Sequence, residues 1–271
     1  MNVGFIGLGS QGGPMARRII EAGHPTTLWA RRPATLEPFA DTGATLAASP
    51  AELAAASDLV CLCVVGDTDV EEIAGGEHGL LAAMRPGSVI AIHSTVHPDT
   101  CRELATKAGA QGVSVVDAPV SGGGPAAAEG RLLVMAGGDA DVIDRCRPVF
   151  ETYADPVIHV GELGSGQTTK LLNNLLFIAN LGTAATALSL AGALGVDPDR
   201  LADVMSRASG NSMALNALGG SGGLDRLADV AGGLLQKDVR LVVDLAERAG
   251  AGPGAVLDAA DATLALMGHP R

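Results

Sequence analysis

Lys170 and Asn174 are the residues whose types and spacing most directly suggest chemistry. With Gln167 they stand at positions i, i+3 and i+7 of a predicted helix, so the three share one face of it. A lysine and an asparagine one turn apart in an otherwise apolar helix are costly to bury without a purpose. Hydride transfer at a carbinol carbon needs a group that moves the hydroxyl proton, and a buried lysine can do this. The alternative is a lysine that extends from the domain edge into solvent.

A glycine-rich turn near the start of the chain predicts a dinucleotide site. It follows the strand predicted at Asn2–Ile6 and opens a helix, which is the arrangement that such a site needs. Gly7 permits the tight turn, Gly9 admits the pyrophosphate to the backbone, and Gly12 allows the helix to pack closely on the strand. The alternative is a structural turn. The predicted cofactor contacts here are Gly7, Leu8, Gly9, Ser10, Gln11 and Gly12.

Two arginines, Arg31 and Arg32, follow the second predicted strand, Thr26–Ala30. A site that prefers NAD usually carries an acid at this place, for the ribose 2′-hydroxyl. Guanidinium groups instead bind phosphate through paired, charge-assisted hydrogen bonds. We therefore predict a preference for NADP(H), with NAD(H) as the alternative cofactor if one or both arginines are merely solvated.

The strand predicted at Val113–Asp117 is followed by Ser121, Gly122 and Gly123. Doubly wound sheets bind their ligands at this carboxyl end of their strands. A hydroxyl followed by exposed glycine amides could hold a small carboxylate, and the alternative is an ordinary turn.

His93 and His97 lie at another strand end. Because no acid or cysteine cluster accompanies them, we predict burial or a cofactor contact and no metal site.

The elements that would position these residues change character near residue 160. Up to that point, short apolar runs alternate with helical patterns, which predicts a largely parallel sheet with helices on both faces. Beyond it, strand patterns disappear and one long apolar helix is predicted from Glu162 to Gly195. The predicted fold is α/β: a Rossmann-type doubly wound domain over residues 1–160 and an all-helical domain over 161–271. The further predicted strands are Leu59–Val65, Ser88–His93, Leu132–Ala136 and Val157–Val160; the further helices are Pro14–Ala22, Asp99–Ala108, Val142–Glu151, Asp197–Arg207, Leu234–Ala249 and Gly254–Met267, with a glycine-rich connection at Gly219–Gly223.

Composition narrows the class of protein. The 271 residues carry a formal net charge of −12, which argues against nucleic acid and against an anionic membrane surface as partners. The apolar stretch Leu171–Val196 contains several asparagines, which favours a buried helix over a membrane span. Four cysteines form neither a disulfide framework nor a zinc pattern. With no secretory signal pattern at the first residues, we expect a cytoplasmic protein.

Several motifs occur in the order typical of one family. They are the Gly7-Leu8-Gly9 turn, His93-Ser94-Thr95-Val96, Asp117-Ala-Pro-Val-Ser-Gly-Gly, the glycine-rich lead into Lys170 and Asn174, and Gln236-Lys237-Asp238. Together they resemble the β-hydroxyacid dehydrogenases, such as 3-hydroxyisobutyrate dehydrogenase, tartronate semialdehyde reductases and, more distantly, 6-phosphogluconate dehydrogenase. The resemblance spans essentially the whole chain.

The resemblance implies a role for each matching position. Lys170 would be the catalytic acid/base, and Asn174 would hydrogen-bond a small carboxylate substrate. Ser121, Gly122 and Gly123 would hold the substrate carboxylate. Val65, Ser94 and Thr95 would contact the cofactor, and Lys237 would contact both substrate and cofactor. The family resemblance also implies a homodimer or homotetramer.

Departures from the family pattern leave the substrate open. Gln11 stands where Met is usual, and Ala30 replaces the Asn that commonly precedes Arg31. The usual Phe ahead of the Lys-Asp pair is missing, since Val230-Ala-Gly-Gly occupies that region. An imine or other carbonyl reductase and a non-catalytic NADP(H)-binding protein are the competing hypotheses. Imine reductases of this fold generally lack the helix lysine, and a pure binding protein would not need it.

Overall fold

A computed structural model of the chain describes residues 1–252 and 254–271. The described residues form two compact units, Met1–Lys170 and Leu171–Arg271. The sequence-based boundary near residue 160 lies earlier than this division. The reason is local, because the first turn and a half of the long helix that starts at Ser165 belongs with the first unit.

The first unit is built on a parallel sheet. Its strands are β1 Val3–Ile6, β2 Thr26–Trp29, β3 Thr45–Leu46, β4 Leu59–Leu62, β5 Val89–Ile92, β6 Ser114–Asp117, β7 Val120–Ser121, β8 Leu132–Gly137 and β9 Ala154–Gly161. Their order in the sheet is β3-β2-β1-β4-β5-β6-β8-β7, with β9 paired to β8. The first six strands in this order are parallel to one another, while β8 runs antiparallel to β6 and β7 and parallel to β9. This confirms the predicted Rossmann-type class, although β3 and β7 were not predicted.

Helices connect these strands. The helices are α1 Gly12–Glu21, α2 Pro50–Ala55, α3 Asp67–Gly75, α4 Pro98–Gly109, α5 Gly123–Ala128, α6 Ala140–Phe150 and the long α7 Ser165–Ala193. Two 3₁₀ turns complete the connections, at Pro33–Phe39 and Leu80–Ala82. The helices predicted before the long helix are confirmed as α1, α4 and α6, whereas α2, α3 and α5 were not predicted.

The central strands are buried on both faces, which explains their continuous apolar sequences. Successive side chains of a strand point to opposite faces, so Leu59 and Cys61 of β4 enter one core cluster and Val60 and Leu62 enter the other. The two faces of the sheet are therefore closed by aliphatic packing. Polar groups are left to the carboxyl ends of the strands, where the predicted site residues lie.

His93 shows how a polar side chain is accommodated just past β5. Its Nδ1 lies 2.6 Å from the carbonyl oxygen of Ala118, and its Nε2 lies 3.2 Å from the hydroxyl of Tyr153. A carbonyl oxygen only accepts, so we assign the proton to Nδ1, and Nε2 accepts from Tyr153. Burial lowers the pKa of His93 to about 4, so the ring is neutral at physiological pH. His93 is therefore buried, which is one of the two placements predicted for it.

The second unit contains helices and no strand among its described residues, in agreement with the predicted all-helical region. After the remainder of α7 come α8 Pro198–Met205, α9 Met213–Ser221, α10 Leu224–Arg248 and α11 Gly254–Leu266. Their shared core is aliphatic and includes Leu171, Ile178, Leu181, Val239 and Leu264.

Glycines misled the prediction in this unit. The stretch Gly219–Gly223 was predicted as a connection, but Gly219 and Gly220 are helical in α9. Helix α10 was predicted to begin at Leu234 and begins at Leu224 instead. Gly232 within it is explained by a close approach, since a Cβ there would overlap the ring of His269. A glycine required for packing thus resembled a helix breaker.

Among the described residues, α7 is the one helix long and apolar enough to cross a membrane by length and composition. Its most apolar window has a mean hydropathy of 1.6 and is 39% buried. The core helix of a soluble protein passes the same test, so the helix alone does not indicate a membrane protein. All four cysteines are free thiols.

Candidate active site

The glycine-rich turn between β1 and α1 has the shape that a dinucleotide needs. Gly7 has φ +98°, and a Cβ there would overlap the carbonyl oxygen of Cys63. A Cβ at Gly12 would overlap the carbonyl oxygen of Gly7. Gly9 differs, because a Cβ there would meet no protein atom within 4 Å. The turn is therefore closed toward the protein at Gly7 and Gly12 and open toward solvent at Gly9.

The first turn of α1 suits an anion. It contains no acidic residue, and Gln11 at its N-cap makes no side-chain capping bond. The N–H groups and positive dipole end of a helix N-terminus can bind phosphate. These residues fit a dinucleotide pyrophosphate. Ser10 is exposed and Gln11 is half-buried beside the turn.

A cavity of about 420 Å³ adjoins this turn. Gly7, Leu8 and Gly9 form one side of it, and the predicted cofactor residues Arg31, Arg32 and Val65 also line it. The structure thus brings together predicted cofactor residues that are up to 58 positions apart, from Gly7 to Val65. The remaining lining residues are Ile6, Trp29, Ala30, Thr35, Cys63, Val64, Asp69 and Ile73.

Arg31 has acidic neighbours that the sequence analysis missed. Its guanidinium lies 2.9 Å from the carboxylate of Asp69 and 3.5 Å from that of Glu72, both on α3. Arg32 is exposed. Nothing in the spacing of Asp69 along the chain indicated this contact, since 38 residues separate it from Arg31.

Ser94 and Thr95 lie in the loop that leaves β5. The hydroxyl of Ser94 accepts a hydrogen bond from Val64 N–H at 2.8 Å and donates to Leu62 O at 3.4 Å. These bonds join the loop after β5 to the end of β4. The side chain of Ser94 is buried, whereas Thr95 is half-buried.

The loop of Ser121, Gly122 and Gly123, which was predicted to hold a carboxylate, also lies beside the glycine-rich turn. Ser121 ends β7, while Gly122 and Gly123 have φ values of +128° and +73° and lead into α5. A Cβ at Gly124 would overlap the carbonyl oxygen of Ser10. Gly124, which the sequence analysis did not select, therefore allows this loop to reach the glycine-rich turn.

The start of α7 is bonded to the end of β6 and to the loop after β5. The buried carboxylate of Asp117, at the end of β6, accepts hydrogen bonds from the N–H groups of Gly164 and Gln167, both at 2.7 Å. Burial raises the pKa of Asp117, and these two bonds act in the opposite direction. The predicted catalytic Lys170 follows Gln167 by one helical turn and is half-buried.

In the second unit, Asp238 joins two predicted substrate residues. Its Oδ2 accepts from the side-chain amide of Asn174 at 2.7 Å, and its Oδ1 lies 3.2 Å from the Lys237 amine. Asp238 is 5% exposed. Asp238 belongs to the Gln236-Lys237-Asp238 motif, but no role was predicted for it. No group of three or more potential metal ligands of the His, Cys, Asp and Glu types occurs among the described residues.

Two family models together match most of this chain. Residues 2–161 match the model described as the NAD binding domain of 6-phosphogluconate dehydrogenase. The chain belongs to the β-hydroxyacid dehydrogenase family. Residues 164–267 match the model described as "NAD-binding of NADP-dependent 3-hydroxyisobutyrate dehydrogenase". Both models concern nicotinamide dinucleotides, in agreement with the glycine-rich turn.

Individual relatives agree with this assignment. An uncharacterised oxidoreductase of Mycobacterium tuberculosis is 41% identical over 195 residues, which cover 72% of this chain and 66% of that protein, slightly under two thirds of its length. The 3-hydroxyisobutyrate dehydrogenase of Pseudomonas aeruginosa is 35% identical over 215 residues, covering 79% of this chain and 72% of the relative. The solved structure of Mycobacterium tuberculosis 3-hydroxyisobutyrate dehydrogenase with L-serine has a TM-score of 0.85 at 30% identity and covers 99% of this chain and 94% of that one.

Gly9→Ala tests the open side of the glycine-rich turn. Because the added methyl group meets no protein atom within 4 Å, the melting temperature should stay unchanged. The methyl group would instead occupy space needed by the pyrophosphate, so we expect the Kd for NADPH and for NADH to rise at least ~10-fold, or ~1.4 kcal/mol. Fluorescence titration measures both constants. Gly43→Ala, which also meets no atom within 4 Å and lies outside the cavity, is the matched control. Equal affinity in the two variants would contradict this assignment.

Proposed function

We propose that this protein transfers a hydride between a nicotinamide dinucleotide and a small β-hydroxy acid, or the matching semialdehyde. One observation carries the proposal: Lys170 follows, by one turn, a helix start that is bonded to the loop after β5 and to the end of β6. In open α/β sheets, ligands bind outside the carboxyl ends of the strands. The glycine-rich turn after β1 opens at the same edge of the sheet.

In this proposal Lys170 moves the proton. When bound, the nicotinamide supplies the hydride acceptor or donor at its ring carbon C4. In the oxidation direction, the substrate hydroxyl gives its proton to the amine of Lys170 while the carbinol C3 loses its hydride and a carbonyl forms. In reduction, the ammonium of Lys170 returns the proton to the oxygen. Such acid–base assistance is typically worth ~10²–10⁴-fold in rate.

Other residues bind the substrate in this proposal. Ser121 and the amides of Gly122 and Gly123 hold its carboxylate, supported by the positive φ values that shape that loop. Asn174 and Lys237 bind substrate as well, and Asp238 orients both of their side chains. Val65, Ser94, Thr95 and Lys237 contact the cofactor. The relative from Pseudomonas aeruginosa and the solved relative from Mycobacterium tuberculosis are both 3-hydroxyisobutyrate dehydrogenases, and the latter was solved with L-serine, which supports small β-hydroxy acids as the substrate class.

We also place the protein in the cytoplasm as a soluble enzyme. Four free cysteines, three of them buried, suit a reducing compartment.

Lys170→Ala should separate chemistry from cofactor binding. We expect kcat for 3-hydroxyisobutyrate oxidation or semialdehyde reduction to fall ~10²–10⁴-fold, because proton transfer loses its partner. The Kd for NADPH should stay within about twofold, since the glycine-rich turn is untouched. Lys107→Ala, an exposed lysine on α4, is the matched control. Equal losses of turnover and of NADPH affinity would identify a structural lysine and contradict the proposal.

We propose NADP(H) as the preferred cofactor, bound at its 2′-phosphate by Arg31 and Arg32. The double variant Arg31→Ala/Arg32→Ala should raise the KM for NADPH roughly 10- to 100-fold, as expected for losing charge-assisted hydrogen bonds of ~1.5–3 kcal/mol. The KM for NADH, which has no 2′-phosphate, should change far less. The double variant Arg145→Ala/Arg207→Ala, at two exposed positions outside the cavity, controls for the loss of two positive charges. An unchanged ratio of the two KM values would refute the assignment.

We propose self-association as a homodimer or homotetramer through the second unit. The support is a set of large apolar side chains exposed on this unit, in which Leu172 and Leu176, and Leu190 and Leu194, each lie one helical turn apart on α7: Leu172, Leu176, Leu190, Leu194, Val196, Val204, Met213, Val230, Leu234 and Leu266. Sedimentation velocity should show an oligomer that Leu190→Glu/Leu194→Glu weakens and that Leu46→Glu, at an exposed position of the first unit, leaves intact. A monomer of the unaltered chain at ~10 µM would oppose this proposal, since stable interfaces bind well below that concentration.

A further inference from the structure

Gln167, in the first turn of α7, uses both ends of its amide to bind one loop. Its Oε1 accepts a hydrogen bond from the N–H of Val96 at 3.1 Å, and its Nε2 donates to the carbonyl oxygen of Ser94 at 2.8 Å. The side chain is 0% exposed. These two bonds flank Thr95, so the backbone on either side of Thr95 is held by the same amide.

The backbone of Gln167 is fixed independently of its side chain. Its N–H donates to Oδ2 of Asp117, while Gly164 donates to Oδ1 of the same carboxylate. A Cβ at Gly166 would lie 2.8 Å from Asp117 Oδ2, so the carboxylate and the helix start approach as closely as a glycine permits.

Packing alone does not explain an amide at position 167. Methionine has nearly the same size and would be cheaper to bury, because a buried amide must find partners for both of its ends. Here both ends reach backbone atoms of the Ser94–Val96 loop, more than 70 residues away along the chain. An amide matches this requirement for one donor and one acceptor.

We infer that Gln167 is a positioning residue that holds Lys170 in register with the Ser94–Val96 loop. The inference rests on the proposed function, in which Lys170 moves the proton and Ser94 and Thr95 contact the cofactor. Lys170 follows Gln167 by one turn of the same helix, so a rotation or slide of the helix start moves both residues together. Hydride and proton transfer require their groups at closely defined distances, and a shift of about 1 Å can cost ~10²-fold in rate.

The first test is a double-mutant cycle between positions 167 and 170. Gln167→Met should lower kcat ~10- to 100-fold, while the Kd for NADPH stays within about twofold of the unaltered value. In the Lys170→Ala background the same change should cost less than about twofold, because the lysine that Gln167 positions is already absent. Single-turnover rates at high enzyme concentration measure the slow variants. Thr169→Ala, an exposed neighbour on the same turn, is the matched control.

The outcomes of this cycle separate the two hypotheses. If Lys170→Ala turns over normally, the proposed function fails and the positioning role fails with it. If Lys170→Ala is slow but Gln167→Met is as fast as the unaltered enzyme, or slows both backgrounds equally, only the positioning role is overturned.

Gln167→Glu gives a second measurement that does not depend on Met being tolerated. Its carboxylate can accept from Val96 N–H but cannot donate to Ser94 O, whereas the protonated form can do both. We expect the ratio of its kcat to that of the unaltered enzyme to rise as the pH falls from 8 to 5.5. Burying the ionised carboxylate is costly even for a residue that only fills space, but that cost would give the same pH dependence in the Lys170→Ala background. A ratio that stays flat across this range, or that rises equally in both backgrounds, would therefore overturn the inference.

Discussion

The carboxylate of Asp117 is the anchor on which the proposed active site depends. It is 0% exposed, and burying a carboxylate without partners would be prohibitive. Its two oxygens accept the N–H groups of Gly164 and Gln167, which lack helical partners because they lie at the beginning of α7. The anion also faces the positive end of the helix dipole. The two N–H groups thus stabilise the buried charge, and the carboxylate provides these N–H groups with acceptors. These hydrogen bonds fix where α7 begins.

The sheet explains why the polar groups gather at one edge. Its central strands are enclosed on both faces by aliphatic side chains, so the faces offer no place for a polar ligand. The parallel strands β1, β5 and β6 all present their carboxyl ends at the same edge. The glycine-rich turn, the Ser94–Val96 loop and Asp117 follow or end these three strands. The start of α7, which is bonded after β5 and at the end of β6, therefore lies at the same edge of the sheet as the glycine-rich turn after β1.

Local signals made the fold predictable, and long-range contacts limited what could be predicted of the site. The turn at Gly7, Gly9 and Gly12 depends on residues within one strand–turn–helix, so its sequence was sufficient. Gln167 was grouped with Lys170 by helical spacing, but spacing does not show that its amide binds a loop 71 residues earlier. The contact of Asp238 with Asn174, 64 residues apart, was hidden for the same reason. Gly232 misled the helix prediction because the ring of His269, which leaves no room for a Cβ at position 232, lies much further along the chain.

The contacts of Arg31 raise the question whether its ion pairs would prevent it from binding a phosphate. The guanidinium is 62% exposed, and its partners Asp69 and Glu72 are 29% and 71% exposed. Ion pairs of a guanidinium this open to water are worth ~0–1 kcal/mol, whereas charge-assisted hydrogen bonds to a phosphate are worth ~1.5–3 kcal/mol. By these magnitudes the pairs would yield to the 2′-phosphate of the proposed cofactor, or the phosphate would bind the donors that the pairs leave, since a guanidinium has five N–H groups. Asp69 then has a different effect: it holds the long Arg31 side chain at the wall of the cavity, which lowers the entropy that ordering it on the cofactor would cost.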